Sequence, residues 1–211
     1  MLKLYYANIN QIDGEKFHIL FEKVNMQRRE KILRCKNEKD KHRSLLAGYL
    51  LRIALEQENV EYDKVFFSVV ENGKPVIQNL PTMCYSLSHA GDYAVCAVSD
   101  RSVGVDIETK SKMLFEKEEK LEAVAQKILS EDEYAAFVEC PNENRAEMFL
   151  QYWTRKEAYS KADGRGLGIG LNLVQTEDKM YFSKWLEEET YLSVYVEDED
   201  YTDLQIEKIN V

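Results

Sequence analysis

Two periodicities divide the chain. Phe17, Leu20, Phe21 and Val24 recur at i, i+3, i+4 and i+7, and Leu45, Leu46, Tyr49, Leu50, Ile53 and Ala54 form a second apolar stripe of the same kind. A period near 3.6 residues collects such side chains on one side of a helix, so two amphipathic helices are predicted. Elsewhere the pattern is that of strands. LKLYYANI at the start, VFFSVV (65–70), MCYSLS (83–88), YAVCAVS (93–99) and SVGVDIE (102–108) are rich in β-branched and aromatic residues. ENGKP, HAGD and DR supply the breaks, the first through an Asn-Gly pair that favours a tight turn.

The second half turns helical. KEEKLEAVAQKIL predicts one helix, and SEDEYAAFVEC another, with Ser130 as N-cap and Glu133 at the capping-box position. A third, from about 143 to 162, carries Met148, Phe149, Tyr152 and Trp153, with Gly164 placed to cap its C-terminus. YLSVYVED and DLQIEKINV predict closing strands. There is no repeat, linker or low-complexity segment, and no regular strand–helix–strand alternation, so the expected class is compact α+β.

Composition narrows the picture. The chain has 211 residues, 45% hydrophobic and 31% charged, enough for one large domain or two small lobes sharing a core. No run approaches the roughly 18 apolar residues of a membrane span. The first residues lack the basic-then-apolar pattern of a signal peptide. Cys35, Cys84, Cys96 and Cys140 are scattered without a CxxC, which argues against a disulfide framework or a zinc site. A cytoplasmic protein is expected. A net charge of −10 argues against general nucleic-acid binding. The charge is uneven, however: residues 28–43 hold eight Lys/Arg against three acids, and residues 177–211 hold eleven acids against three Lys. The basic segment suits an anion, although a solvated helix face would read the same way.

Three constellations could carry chemistry. In 103-VGVDIE-108, Asp106 and Glu108 share one face of a strand, about 6.6 Å apart along the chain, while Val105 and Ile107 face the core. Two unpaired charges at that separation repel by roughly 2.5 kcal/mol at an effective dielectric near 20. A divalent cation removes the repulsion, and hard carboxylate oxygens suit Mg²⁺ or Mn²⁺ rather than zinc. Two exposed acids on a sheet edge would look identical. In 153-WTRKEAYSKADGRGL-167, Trp153, Glu157 and Lys161 fall on one face of a helix. Glu157 and Lys161 form either a surface ion pair or a third acidic ligand or general base followed by a phosphate-contacting ammonium. The glycines of GRGLGIG follow a helix instead of opening one, so they read as a connector and not as a phosphate loop. In 86-SLSHAGDYAVC-96, Ser88 and His89 are adjacent on an extended segment and project oppositely, which disfavours a serine hydrolase. No GxSxG elbow is present either. Anion binding by the hydroxyl and imidazole fits better, beside the plain alternative of a turn serine and an exposed histidine. His18 and His42 show no metal-ligand spacing.

In chain order, the basic segment with HRSLLAGYLLR, then GKP, SLSHAGDYAV, GVDIE and WTRKEAYSKADGRGL, resembles the surfactin-type 4′-phosphopantetheinyl transferases from about Gln27 to Leu167. The resemblance implies an α+β fold of two pseudo-symmetric lobes, 1–100 and 101–211, with coenzyme A in the cleft between them. It implies transfer of the phosphopantetheine arm of coenzyme A to a serine of an acyl- or peptidyl-carrier protein, releasing adenosine 3′,5′-bisphosphate. On this reading Asp106, Glu108 and Glu157 hold Mg²⁺ or Mn²⁺, Glu157 takes the serine proton, and Lys161 meets a pyrophosphate oxygen. Arg28, Lys31, Arg43, Ser88 and His89 contact the 3′-phosphate and its neighbours, and Lys74 and Pro75 lie along the adenine. Glu133 falls in a helix associated with the site but receives no role. The connector after Gly164 or the loop from 108 to 118 would supply a carrier-docking surface, and two lobes in one chain suggest a monomer. The alternatives are a non-catalytic coenzyme A or carrier-binding module on the same fold, and a metal-dependent nucleotide phosphohydrolase using water as nucleophile.

Overall fold

The computed structural model describes residues 1–70, 73–110, 118–166, 170–187, 189–197 and 204–211. Part of the expected turn (71–72), most of the loop between Glu108 and Glu118 (111–117), part of the glycine connector (167–169) and the acidic stretch 198–203 lie outside the described residues.

The chain opens with β1 (Leu2–Asn8), followed by helices α1 (Gly14–Phe21), α2 (Met26–Leu33) and α3 (Glu38–Gln57). The side chains of Asp13, Asn25 and Asn37 cap these helices by accepting from the backbone N–H of Lys16, Arg28 and Asp40. The basic segment is therefore α2 and the first turns of α3, broken between them by the Asn37 cap. Strands β2 (Phe67–Val69) and β3 (Pro75–Ile77) form a short hairpin, and β4 (Cys84–Ala90) and β5 (Tyr93–Ser99) follow. After β6 (Val103–Thr109) come α4 (Glu118–Ile128), α5 (Glu131–Glu139) and α6 (Asn142–Asp163). Strands β7 (Phe182–Glu187), β8 (Thr190–Val196) and β9 (Gln205–Lys208) complete the described elements. The class is α+β, and no described helix is long and apolar enough to cross a membrane.

Two larger sheets organise the molecule. The first has the order β4-β5-β1-β9, antiparallel except for β9, which runs parallel to β1. Residues 205–208 thus return from the end of the chain to the sheet that residue 2 begins. The second has the order β6-β8-β7. Alternation sorts the side chains of β5 between two cores. Ala94, Cys96 and Val98 pack with α1 to α3. Val95 and Ala97 pack with Leu2 and Leu4 of β1 against Val105, Ile107, Leu192 and Val194 of the second sheet. Both faces of β5 are covered, which is why its sequence shows almost no polar alternation. A third cluster, including Leu121, Phe137 and Phe149, joins α4, α5 and α6.

The site depends on the seam between the sheets. β4 borders β6, and the Ser86 hydroxyl accepts from Val105 N at 3.0 Å while that of Ser88 accepts from Ile107 N at 3.4 Å. Side-chain oxygens thus satisfy N–H groups that a backbone ladder would otherwise have to meet.

Candidate active site

Val105 and Ile107 point into the core between the sheets, which turns Gly104, Asp106 and Glu108 to the opposite face of β6, against α6. Gly104 makes that packing possible. A Cβ there would lie 1.8 Å from the carbonyl oxygen of Ala158 and 2.6 Å from the backbone nitrogen of Ala162, so only glycine lets strand and helix approach this closely.

The close approach brings Asp106 to Lys161. The Lys161 ammonium donates to Asp106 Oδ1 at 2.7 Å and to the Val105 carbonyl at 3.0 Å, and the Ser88 hydroxyl donates to the same Asp106 oxygen at 2.9 Å. Glu157, one turn before Lys161 on α6, and Glu108, two residues after Asp106 on β6, are its neighbours. Burial pushes the Glu157 carboxyl above the ordinary glutamate range, and the negative charges of Asp106 and Glu108 push it further. Burial likewise raises Glu108, and Asp106 adds to the shift against a hydrogen bond from Thr109 N. Among the described residues, no ion pair neutralises Glu108 or Glu157, and Lys161 pairs with Asp106 alone. Among the same residues, no three acids or histidines converge into a ready-made coordination shell. Three acids that feel one another across one ammonium carry excess negative charge in a partly desolvated place. That donor set, all carboxylate oxygen, fits a hard divalent cation.

Beside these acids opens a cleft of ≈ 420 Å³ whose lining includes Arg28, Lys31, Lys74, Pro75, Ser88, His89 and Lys161. Residues from α2, the β2–β3 hairpin, β4 and α6, far apart in sequence, meet there. The Arg28 stem lies against Gly48 of α3, where a Cβ would fall 2.7 Å from Arg28 Cγ. Among the described residues, neither the Arg28 guanidinium nor the Lys31 ammonium meets a carboxylate. Burial lowers the pKa of both, and the Arg28 and Lys161 charges depress Lys31 further. Unpaired cations that are already partly stripped of water favour an anionic ligand. His89 is exposed to the open cleft, yet loss of surrounding water lowers its pKa, and the cations Lys31, Arg43 and Lys161 lower it more.

Three residues singled out from the sequence stand differently. Arg43 does not line the cleft; its guanidinium donates to the Gly91 carbonyl and to Asp40 Oδ1, both at 2.6 Å, and so braces the β4–β5 turn. Lys74 contributes its stem to the cleft wall, but its ammonium turns to α6 and donates to Ser102 Oγ and to the Ala162 carbonyl. Glu133, to which the sequence assigned no role, is a structural residue. It completes the capping box of α5, pairs with the fully buried Lys156 at 2.6 Å, and accepts from the N–H and hydroxyl of Thr176. Lys156 also donates to the carbonyls of Leu171 and Val174, so the pair ties the segment after the glycine connector to two helices.

Sequence reading missed Ser86, Ser102 and Gly104. A signal existed for Ser86: in SLS it shares a strand face with Ser88, the same i, i+2 relation that joins Asp106 to Glu108. For Ser102 there was none, because its partners lie 28 and 60 residues away.

A cleft lined by Arg28, Lys31, Lys74 and Lys161, with Asp106 held beside it by Ser88 and Lys161, has the charge of a site for an anionic ligand. Comparison with known proteins gives this site its family. Residues 102–206 match the 4′-phosphopantetheinyl transferase superfamily, and residues 12–101 match the N-terminal part of 4′-phosphopantetheinyl transferases. The chain is 30% identical to 4′-phosphopantetheinyl transferase gsp of Aneurinibacillus migulanus, over 82% of this chain and 70% of that protein. Against psf-1 of Bacillus pumilus the identity is 30% over 81% and 72%, and against Sfp of Bacillus subtilis (strain 168) 28% over 78% and 69%. The chain belongs to the 4′-phosphopantetheinyl transferase family.

Proposed function

We propose that this chain moves the 4′-phosphopantetheine group of coenzyme A onto a serine hydroxyl of an acyl- or peptidyl-carrier protein, releasing adenosine 3′,5′-bisphosphate. The observation that carries the reading is the polarity of the cleft: cations of α2 that meet no carboxylate among the described residues at one side, and at the other Asp106 paired with Lys161, its charge felt by Glu108 and Glu157. Coenzyme A has the matching pattern, with a 3′-phosphate remote from a pyrophosphate.

In the proposed reaction the carrier serine oxygen attacks the pyrophosphate phosphorus that bears the pantetheine arm. The bond from that phosphorus to the bridging oxygen breaks, and the bisphosphate leaves with the electron pair. Phosphoryl transfer of this kind needs charge neutralisation and alignment more than acid help at the leaving group. Arg28 and Lys31 would hold the 3′-phosphate, with His89 beside them and the backbone of Lys74 and Pro75 along the adenine. Arg43 would act at longer range, since its charge already influences both His89 and Glu108. Ser88 would keep Asp106 oriented through its 2.9 Å hydrogen bond while facing the ligand. Glu157 would accept the serine proton, a role suited to a carboxyl whose proton affinity burial has increased. Lys161 would steady a pyrophosphate oxygen from its position between Asp106 and the cleft. Asp106, Glu108 and Glu157 would hold Mg²⁺ or Mn²⁺, which when bound neutralises charge on the pyrophosphate oxygens.

The proposal includes a division into lobes near residue 100, with the final strand returning to the first, and a cytoplasmic monomer as the working form. Its test is direct. The protein is mixed with coenzyme A, Mg²⁺ and an apo-carrier protein, and the carrier is weighed by mass spectrometry. The expected result is a gain of one phosphopantetheine that disappears with a chelator. An unchanged mass across fatty-acid, polyketide and peptide carriers, with coenzyme A still binding, would overturn the transferase reading in favour of a binding module.

A further inference from the structure

We propose that Lys74 is a positioning residue: its side chain latches the β2–β3 hairpin onto the C-terminus of α6 and thereby sets the two ends of the cleft relative to each other. The inference rests on the transferase reading for its consequence, though not for its geometry.

The hairpin has only three residues in each strand, too few to hold its shape in isolation. On one side it is anchored by Gln27, whose side-chain amide donates to the Phe67 carbonyl at 3.2 Å, and by the edge-to-face packing of Phe67 on Tyr85. On the other side the anchor is Lys74. Its ammonium donates to Ser102 Oγ at 2.7 Å and to the Ala162 carbonyl at 2.5 Å, and the Ser102 hydroxyl donates to that same carbonyl at 2.6 Å. The last carbonyls of a helix have no intrahelical donor and carry the negative end of its dipole, so an ammonium there satisfies and neutralises at once.

The stem fits as closely as the head. Gly164, the C-cap of α6, has φ +85°, and a Cβ on it would lie 2.9 Å from Lys74 Cδ. The left-handed backbone favours glycine there, and the Lys74 stem occupies the space that a Cβ would take. Ala162 is the next residue after Lys161, and Gly73 and Pro75 line the cleft on either side of Lys74. One side chain thus connects the wall beside Arg28 and Lys31 to the helical turn that aims Lys161 at Asp106. The Lys74 ammonium is thus turned to Ser102 and the end of α6, whereas Arg28 and Lys31 meet no carboxylate among the described residues.

The test uses Lys74→Met, which keeps the stem and removes the head, with Ser102→Ala as a partner variant that leaves the hairpin and cleft wall intact. At saturating coenzyme A and carrier, kcat should fall by about tenfold or more in Lys74→Met, and in the same direction but less in Ser102→Ala, which leaves every atom of Lys74 in place. Hydrogen exchange of the Gly164 amide, which donates to the Ser160 carbonyl, should quicken by about tenfold in Lys74→Met and less, but measurably, in Ser102→Ala. A tenfold loss of bisphosphate affinity with kcat preserved would make Lys74 a ligand contact and overturn the latch. So would unchanged exchange at the end of α6 in both variants. The exchange measurement needs neither carrier nor turnover, so failure of the transferase reading and failure of the latch are told apart.

Discussion

The Lys161 ammonium lies 2.7 Å from Asp106 Oδ1, joining a helix to a strand 55 residues earlier in the chain. This ion pair is the junction of the site, because the same Asp106 oxygen also accepts from Ser88 of the neighbouring sheet. Strand, helix and sheet seam converge on one carboxylate.

Asp106→Ala should therefore abolish metal-dependent transfer, with a loss of about a hundredfold or more in kcat/KM, while far-ultraviolet circular dichroism stays that of the parent. The fold survives because Val105 and Ile107, not Asp106, anchor β6 in the core. Turnover retained at saturating Mg²⁺ would remove Asp106 from the proposed ligand set.

Gly104→Ala tests the strand–helix approach without altering any charge. The added Cβ would collide with the backbone of Ala158 and Ala162, which cannot swing away as a flexible side chain could. A destabilisation of about 1–3 kcal/mol or more is expected, with transfer activity lost before the fold is. Chemical denaturation and the carrier mass assay read the two effects separately.

Arg28→Ala should weaken adenosine 3′,5′-bisphosphate binding by about ten- to a hundredfold, the worth of a hydrogen bond to a charged group, and should flatten the salt dependence of affinity. Arg43→Ala should weaken coenzyme A binding less, because its guanidinium is occupied by Gly91 and Asp40 and acts only through its charge. Titration calorimetry at two ionic strengths distinguishes them. Equal losses for both would put Arg43 in direct contact with ligand.

Glu133→Gln addresses stability and its pH dependence. Burial alone would raise the Glu133 pKa, but the Lys156 ammonium, the N–H groups of Ser130 and Thr176 and the Thr176 hydroxyl outweigh it and hold it below the ordinary glutamate range. A depressed carboxylate stabilises the fold above the pKa of the unfolded chain and loses that contribution as pH falls through the folded value. The parent should therefore lose stability below about pH 4.5 more steeply than Glu133→Gln, measured by urea unfolding across that range. At neutral pH the variant should be weaker by about 3–5 kcal/mol, since it leaves the Lys156 ammonium buried without its partner. A flat pH response in the parent would remove Glu133 from the acid-sensitive groups.

Much of the site was visible in local patterns. The alternation VGVDIE put Asp106 and Glu108 on one face because a strand has a period of two. The spacing of Glu157 and Lys161 put them one turn apart because a helix has a period of 3.6 residues. Ser130 and Glu133 announced the start of α5 through a capping box that is purely local. Strand β7 was not legible: FSKWLE has no clean alternation, and its pairing with β8 is broken by an irregularity between Trp185 and Glu187. β9 was legible as a strand but not as a neighbour of β1, since nothing in QIEK records a partner two hundred residues earlier.

The sequence by itself determined which residue types stand on which face of each strand and helix, because those relations arise within a few residues of backbone. Only the tertiary structure decided what each charge does. Lys156 and Lys161 lie five residues apart on α6, yet one is buried against Glu133 and the other meets Asp106 at the cleft. Lys74 and Arg43, equally basic on paper, are engaged by carbonyl oxygens and an aspartate, while Arg28 and Lys31 meet no carboxylate among the described residues. A charge acquires its role from the oxygens that packing brings within about 3 Å, and that distance is set by the approach of whole elements, as at Gly104 and Gly164, and not by neighbours in the chain.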